Sequence, residues 1–335
     1  MILPQFKTTG ALQPSRRKFL TSLSALAVSH WLNGCASQNR SLNIALGIWQ
    51  GYEFLFVAQR QQWLQQHALK IQEFPSNAGS IRALTAGVVD GAALTLDEVL
   101  RLQHAGLPLT IVLVFNVSNG ADVLLATPPI NNIQQLAGKR IGFSKGTNAD
   151  LLLALALQQA DLSINDVTLV NVAFGEHYDS WQKHQIDALV TYNPVKDKLL
   201  AQGANNIFSS AQVPNKIIDV LAIRTEVAAN PNYHAQIKTL VDLHFRAQQT
   251  WQQRPSTVSI MMAKHLGVST DKLSASYEGL ILPDIAENQR FLTAKDSILL
   301  SGAEQLLEPM SQFGLIKQSN LATMQFTDRF LPHTE

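Results

Sequence analysis

The chain has 335 residues, 46% of them hydrophobic and 15% charged, with a formal net charge of +1. That balance describes a globular chain with enough apolar residues for a large core, not a disordered one. No basic face is visible, which argues against nucleic-acid binding, and a single cysteine excludes an internal disulfide or a cysteine-based zinc site.

The first 35 residues read as an export address. Ser15-Arg16-Arg17-Lys18-Phe19-Leu20 sets paired arginines before the apolar run Thr21 to Trp31. A charged segment followed by an apolar one of this length is a secretory signal, too short to span a bilayer. Leu32-Asn33-Gly34-Cys35 follows, and small residues before the lone cysteine resemble the lipobox of bacterial lipoproteins. The arginine pair with Phe-Leu resembles a twin-arginine signal. These resemblances imply a signal peptide over residues 1–34, a lipid on Cys35, and a lipidated tether over residues 35–41. The mature protein is then expected in the periplasm, anchored to a membrane. No later segment holds about 18 uninterrupted apolar residues, so none reads as a spanning helix.

From Leu42 the pattern alternates. Leu42 to Leu46 reads as a strand, and Tyr52 to Gln66 carries Phe54, Leu55, Ala58, Trp63 and Leu64 at helical spacing. Leu69 to Phe74 is strand-like, Gly79 to Ala86 helical with a stop at Gly87, and Gly91 to Leu94 a short strand. Asp97 to His104 reads as a helix ended by Gly106, and Leu109 to Phe115 as a buried strand. A second series starts after Ala121, with a strand from Asp122 to Ala126 broken by Pro128-Pro129. Strands at Arg140 to Phe143 and Val167 to Val172 flank a helix from Asn148 to Ala160. His177 to Gln185 is helical, Ala188 to Thr191 a strand, Val195 to Ala201 a helix, and Asp219 to Ile223 a strand. Beyond Thr225 the chain reads as helical, with breaks at Pro231, Pro255, Gly267 and Pro283. Strands alternating with helices imply crossover units and an α/β fold with mostly parallel sheets. Val89-Asp90-Gly91-Ala92-Ala93-Leu94-Thr95 also echoes Ile186-Asp187-Ala188-Leu189-Val190-Thr191, which suggests two similar lobes.

In open parallel sheets, ligands sit beyond the carboxyl ends of strands. The loops there are Trp49-Gln50-Gly51-Tyr52, Ser76-Asn77-Ala78, Thr95-Leu96-Asp97, Asn116 to Gly120, Lys145-Gly146-Thr147-Asn148 and Tyr192-Asn193-Pro194. Aromatics, hydroxyls and amides dominate them, a set suited to gripping a small polar molecule. Thr95-Leu96-Asp97-Glu98 also fits a helix capping box. Gly142-Phe143-Ser144-Lys145-Gly146 matches G-x-S-x-G between a strand and a helix, as a serine-hydrolase elbow would. Its strand is short and no His-Gly-Gly motif precedes it, so a Gly-rich turn exposing helix N–H groups is the plainer reading. His177 and His184 are not spaced as a chelating pair, and no P-loop, GxGxxG or HExxH occurs. No cofactor or metal is expected.

These segments resemble the periplasmic substrate-binding proteins of ABC importers, in the branch for nitrate, sulfonate, taurine and thiamine-pyrimidine compounds. The carriers are Gly47 to Tyr52, Leu84 to Ala92, Asn119 to Leu124, Ile133 to Gly142, and Ile186 to Pro194. The resemblance implies a two-lobed type II periplasmic-binding fold with hinge strands near Asp122 to Leu125 and Asp219 to Arg224. Lobe 1 would hold residues 42–122 and 225–335, and lobe 2 residues 123–224. Ligand-contacting positions map to Trp49, Thr95, Asn119, Thr147 and Tyr192, with Asp97, Asp122 and Asn193 as further candidates. Gln50, Tyr52, Asn77 and Asn148 lie in the same loops. The implied activity is non-catalytic capture of a small molecule by a monomer that delivers it to an inner-membrane permease. The alternatives are a receptor reporting to a membrane kinase or cyclase, and a hydrolase using the Gly142 to Gly146 elbow. Lys145 is the only cation in these loops, which points to a neutral or amine-bearing ligand stacked on Trp49 or Tyr192.

Overall fold

The computed structural model describes residues 40–335 except 294–296, 318–320, 322–323 and 333–335. The export signal, Cys35 and most of the expected tether therefore lie outside the described residues. Ser41–Glu335 form one compact unit.

It opens with β1 (Leu42–Gly47), α1 (Glu53–Arg60), β2 (Leu69–Phe74), α2 (Asn77–Thr85), β3 (Gly91–Thr95), α3 (Leu96–His104) and β4 (Leu109–Ser118). There follow β5 (Val123–Ala126), β6 (Arg140–Phe143), α4 (Asn148–Gln159), β7 (Thr168–Asn171), α5 (His177–Gln182), β8 (Ala188–Thr191), α6 (Val195–Leu200) and β9 (Asn205–Ser209). The chain then enters β10 (Ile218–Arg224), α7 (Thr225–Ala229), α8 (Pro231–Gln253), α9 (Pro255–Leu266), α10 (Leu273–Ser276), β11 (Leu280–Ile281), α11 (Ile285–Leu292), α12 (Ile298–Gln312) and β12 (Gln325–Phe326).

Two sheets result. One runs β11-β4-β10-β3-β1-β2 with β12 beside β4, and the other β7-β6-β8-β5-β9. Their cores follow one plan: β2-β1-β3-β10-β4 matches β7-β6-β8-β5-β9. In each, three parallel strands meet one antiparallel strand that has just crossed from the other half. The chain passes between sheets at residues 119–122 and 210–217, and the two passages are bonded together. The Ser210 hydroxyl meets the Ser118 hydroxyl at 2.8 Å and accepts the Gly120 N–H at 2.7 Å, while Ser210 N–H donates to the Asp122 carbonyl.

The sequence echo has a structural cause. Asp90 and Asp187 each precede the third strand of their sheet, and each carboxylate accepts the N–H that starts the first strand, from Asn43 and Arg140, both at 2.8 Å. Each aspartate N–H returns a bond to the same residue's carbonyl, also at 2.8 Å. One short acid thus closes the same helix-to-strand turn in both halves, where its side chain competes well for backbone donors.

Several expected boundaries move. The helix expected to reach Gln66 ends at Arg60, and Gln62 and Ala68 take left-handed φ values of 61° and 50°. β4 continues to Ser118, buried along its whole length. Ile218–Arg224, expected at the end of the second lobe, pairs with β3 and β4 in the first sheet. β9 escaped the sequence reading because its polar start, Asn205-Asn206, hides the strand pattern. The tail expected to be all helix adds the two-residue strands β11 and β12 to the β4 edge.

The helical tail contributes one unusual core residue. His244 on α8 is fully buried, with ring centroids 5.5, 5.2 and 5.2 Å from Phe54, Phe115 and Phe245, and neither ring nitrogen has a partner. Burial holds it neutral down to about 3, against an ordinary 6.5. Below pH 6.5 the unfolded chain takes up this proton and the folded chain does not, so stability falls as pH drops from 6.5 toward 3. His244→Phe should remove about 2 kcal/mol of the stability lost between pH 7 and pH 5. Urea unfolding at the two pH values measures it; an unchanged pH slope would contradict the assignment.

Candidate functional site

A cavity of about 310 Å³ lies at the carboxyl ends of both sheets. Ile48, Trp49 and Tyr52 reach it from the end of β1, Ser76, Asn77, Ala78 and Arg82 from the start of α2, and Thr95 from the end of β3. From the other sheet come Ser144 to Ala149 after β6, Asn171 to His177 after β7, and Val190 to Tyr192 at the end of β8, with Gly146 and some turn residues set back. Asp122 enters from the first passage between sheets and Asp219 from the start of β10. Of the expected site residues, Trp49, Tyr52, Asn77, Thr95, Asp122, Thr147, Asn148 and Tyr192 line the cavity together.

Four expected residues do not line it. Gln50 is buried beneath, and its carbonyl accepts from the Tyr277 hydroxyl at 2.9 Å. Both carboxylate oxygens of Asp97 are occupied, by the Thr95 hydroxyl at 2.7 Å and by Arg101 at 2.9 Å. Asn119 is exposed, and its N–H donates to the Gly279 carbonyl. Asn193 Oδ1 accepts the Asp197 N–H at the start of α6. Only the Asn193 side chain is taken by its own backbone surroundings; Asp97 is taken by side-chain donors, and Gln50 and Asn119 are held through their backbone.

The aromatic wall is held from behind. Tyr52 donates its hydroxyl proton to Asp219 Oδ1, Asn116 donates to Asp219 Oδ2 at 2.7 Å, and Asn116 Oδ1 accepts from Trp49 Nε1 at 3.0 Å. This relay fixes the indole, whose ring meets Tyr192 edge-on at 5.0 Å and 88°. Tyr192 in turn stacks on Phe174 at 4.2 Å and 5°. Trp49 and Tyr192 come from different sheets, so the ring contact spans the cavity.

The floor is acidic. Thr95 and Glu98 form the expected capping box of α3, and Glu98 Oε2 accepts the Thr95 N–H at 2.9 Å and the Asn77 amide at 3.2 Å. Burial, with Asp97 adjacent, pushes the Glu98 carboxyl up to about 7. Burial also raises Asp219 well above the carboxylate range, against its bonds from Tyr52 and Asn116. Arg101 ties the two halves together, pairing with Asp97 and with Asp150 of α4, both at 2.9 Å. Asp150 also accepts the Gly146 N–H at 2.7 Å, which orders the Lys145-Gly146 turn.

Arg82 corrects the expectation that Lys145 is the only cation at the site. It sits one turn beyond Ala78 on α2, so the helix presents both to one face. Reading loops alone missed it, as it missed Asn171, Phe174, His177 and Asp219. The α2 and α4 helices both begin at the cavity, with Asn77 and Ala78 on one side and Thr147 to Ala149 on the other, so their free N–H ends favour negative charge there.

The elbow motif has its serine near a histidine. Ser144 Oγ lies 3.0 Å from His177 Nε2 and 3.0 Å from the Val172 carbonyl. His177 Nδ1 faces the Thr191 hydroxyl at 3.1 Å, not a carboxylate, and burial lowers the ring to about 4. Among these turn residues Gly146, at φ 86°, carries the left-handed backbone, and Ser144 does not.

A Cβ on Gly51 would overlap the Asn116 side-chain amide. Gly51→Ala should therefore displace Asn116 and cost about 1–3 kcal/mol. Adding Asn116→Ala removes the clash, so the double variant should lose less than the sum of the single losses. Urea denaturation of the four proteins measures the coupling; simple additivity would contradict the relay.

Residues 36–265 match the model of the NMT1-like family. A relative from Escherichia coli (strain K12), named for binding aliphatic sulfonates, is 26% identical over 190 residues, and the match spans 55% of this chain and 57% of that relative. Among solved structures, the periplasmic aliphatic sulphonate binding protein SsuA from Escherichia coli superimposes with TM-score 0.68 at 18% identity, covering 84% of this chain and 94% of that one. The ligand-binding component of an ABC-type import system from Staphylococcus aureus gives 0.66 at 15%, covering 87% and 98%. These structures share the fold of this chain. The family match extends over more than half of the sequence and takes in every residue lining the cavity, and the chain belongs to the NMT1-like family.

Proposed function

We propose that this chain captures a small polar solute between two lobes and delivers it to an ABC importer outside the cytoplasm. The observation that carries this reading is the cavity built from both sheets, with Trp49, Tyr52, Asn77 and Thr95 on one side and Thr147, Phe174 and Tyr192 on the other. A ligand touching both sides stabilises the closed form over any open one. The paired passages at 119–122 and 210–217 are the hinge, with the first sheet and its helices as one lobe and the second as the other. The relatives named above, a periplasmic sulphonate binder and an importer's ligand-binding component, support the same role and place. Catalysis is disfavoured by the Ser144–His177 geometry, because no carboxylate orients the imidazole for proton transfer. The protein works as a monomer, without a cofactor.

Native mass spectrometry of freshly purified protein tests the capture. A co-purifying small molecule, released on partial unfolding, is the expected result. A protein that carries nothing and gives no thermal shift with any small solute would refute it.

The N-terminal motif completes the proposal: Cys35 carries the lipid that holds the receptor beside its permease. Cys35→Ser should move the protein from the membrane fraction to the soluble one. Retention of the variant in washed membranes would count against acylation.

A further inference from the structure

Two acids at the cavity keep a carboxylate oxygen without a hydrogen-bond partner, Glu98 Oε1 in its floor and Asp122 Oδ2, and of the two only Asp122 belongs to the lining. Asp219 and Asp97 each have both carboxylate oxygens occupied by protein donors. Asp122 lines the cavity and is only 4% exposed; Oδ1 accepts the Asn148 amide at 3.0 Å, the Ser118 hydroxyl and the Lys196 ammonium also favour the carboxylate, and Oδ2 has no hydrogen-bond partner. A buried carboxylate oxygen without a donor is expensive to maintain in a folded protein. Lys196, buried beside it, aims its ammonium at the Gly120 carbonyl, 3.5 Å away. The cations that do line the cavity, Arg82 and Lys145, are both exposed.

The same cavity is walled by Trp49, Tyr192 and Phe174. Aromatic faces carry negative potential and attract a desolvated cation. A bare carboxylate oxygen and a group of rings in one cavity are complementary to one chemical group. We infer that the captured solute carries a protonated amine, with Asp122 Oδ2 as its acceptor and the rings of Trp49, Tyr192 and Phe174 as its apolar enclosure. This rests on the capture function proposed above and specifies its ligand chemistry. Burial raises the Asp122 carboxyl above its ordinary value, and an ammonium seated on Oδ2 would offset that burial. A neutral ligand would instead accept a hydrogen bond from a protonated Asp122, and an asparagine there imitates that neutral donor.

Calorimetry on the purified protein with matched probes separates the cases: taurine against ethanesulfonate, β-alanine against propionate, and ethanolamine against ethylene glycol. The amine member of any pair that binds should bind roughly 10- to 100-fold tighter. Asp122→Asn should abolish that preference while leaving the thermal midpoint within a few degrees. The wild-type comparison decides alone if the variant fails to fold. Equal or tighter binding of the amine-free member, or an unchanged preference in Asp122→Asn, overturns the inference and leaves the capture function standing. If no pair binds, the cargo released in native mass spectrometry decides. A cargo with a basic nitrogen upholds the inference, one without it overturns the inference alone, and an empty protein overturns both.

Discussion

The pairing of Asn116 with Asp219 organises this molecule. The two residues face each other across β4 and β10, the strands that lead out of and back into the first sheet. Asp219 cannot ionise cheaply at its depth, and only the Tyr52 hydroxyl and the Asn116 amide compensate its charge. Fixing those two donors fixes Trp49, and with it one wall of the cavity. Gly51 is glycine because Asn116 occupies the space a side chain would need. Local backbone, sheet pairing and ligand wall therefore rest on one buried carboxylate.

The electrostatics of the cavity are divided. Its floor holds raised carboxyls whose burial is only partly compensated, while its edge holds two exposed cations and two helix N-termini. The same cavity thus brings together Asp122, whose Oδ2 has no hydrogen-bond partner, and the first turns of two helices, features that favour opposite charges. The interior also resists protonation at its histidines, since His177 stays neutral to about 4, so over the range between pH 5 and 8 the charge of the pocket is set by its carboxyls.

Much of this was legible from residue order alone. Hydrophobic alternation located the parallel strands, and reading the loops at their carboxyl ends found eight residues that do line the cavity. The Asp90 and Asp187 echo marked the repeated turn before any coordinates. What stayed hidden was non-local. Arg82 points inward only because α2 begins at the cavity and turns once. Asp219 matters through partners more than a hundred residues away. Asn119 and Asn193 had the right chemistry in the right loops, but Asn119 is exposed and the Asn193 side chain accepts the Asp197 N–H. β9 lacked the apolar alternation that marks a strand and owes its place to β5.

The two passages between the sheets are short and hydrogen-bonded side by side through Ser118 and Ser210. A single thread would leave the halves free to slide and to spin about it. As the hinge proposed above, two bonded threads would act like the pins of a door, blocking shear and torsion and leaving one swinging axis. On that hinge, Trp49 and Tyr192 would have a single arc along which to meet, and their ring contact would reform in the same register.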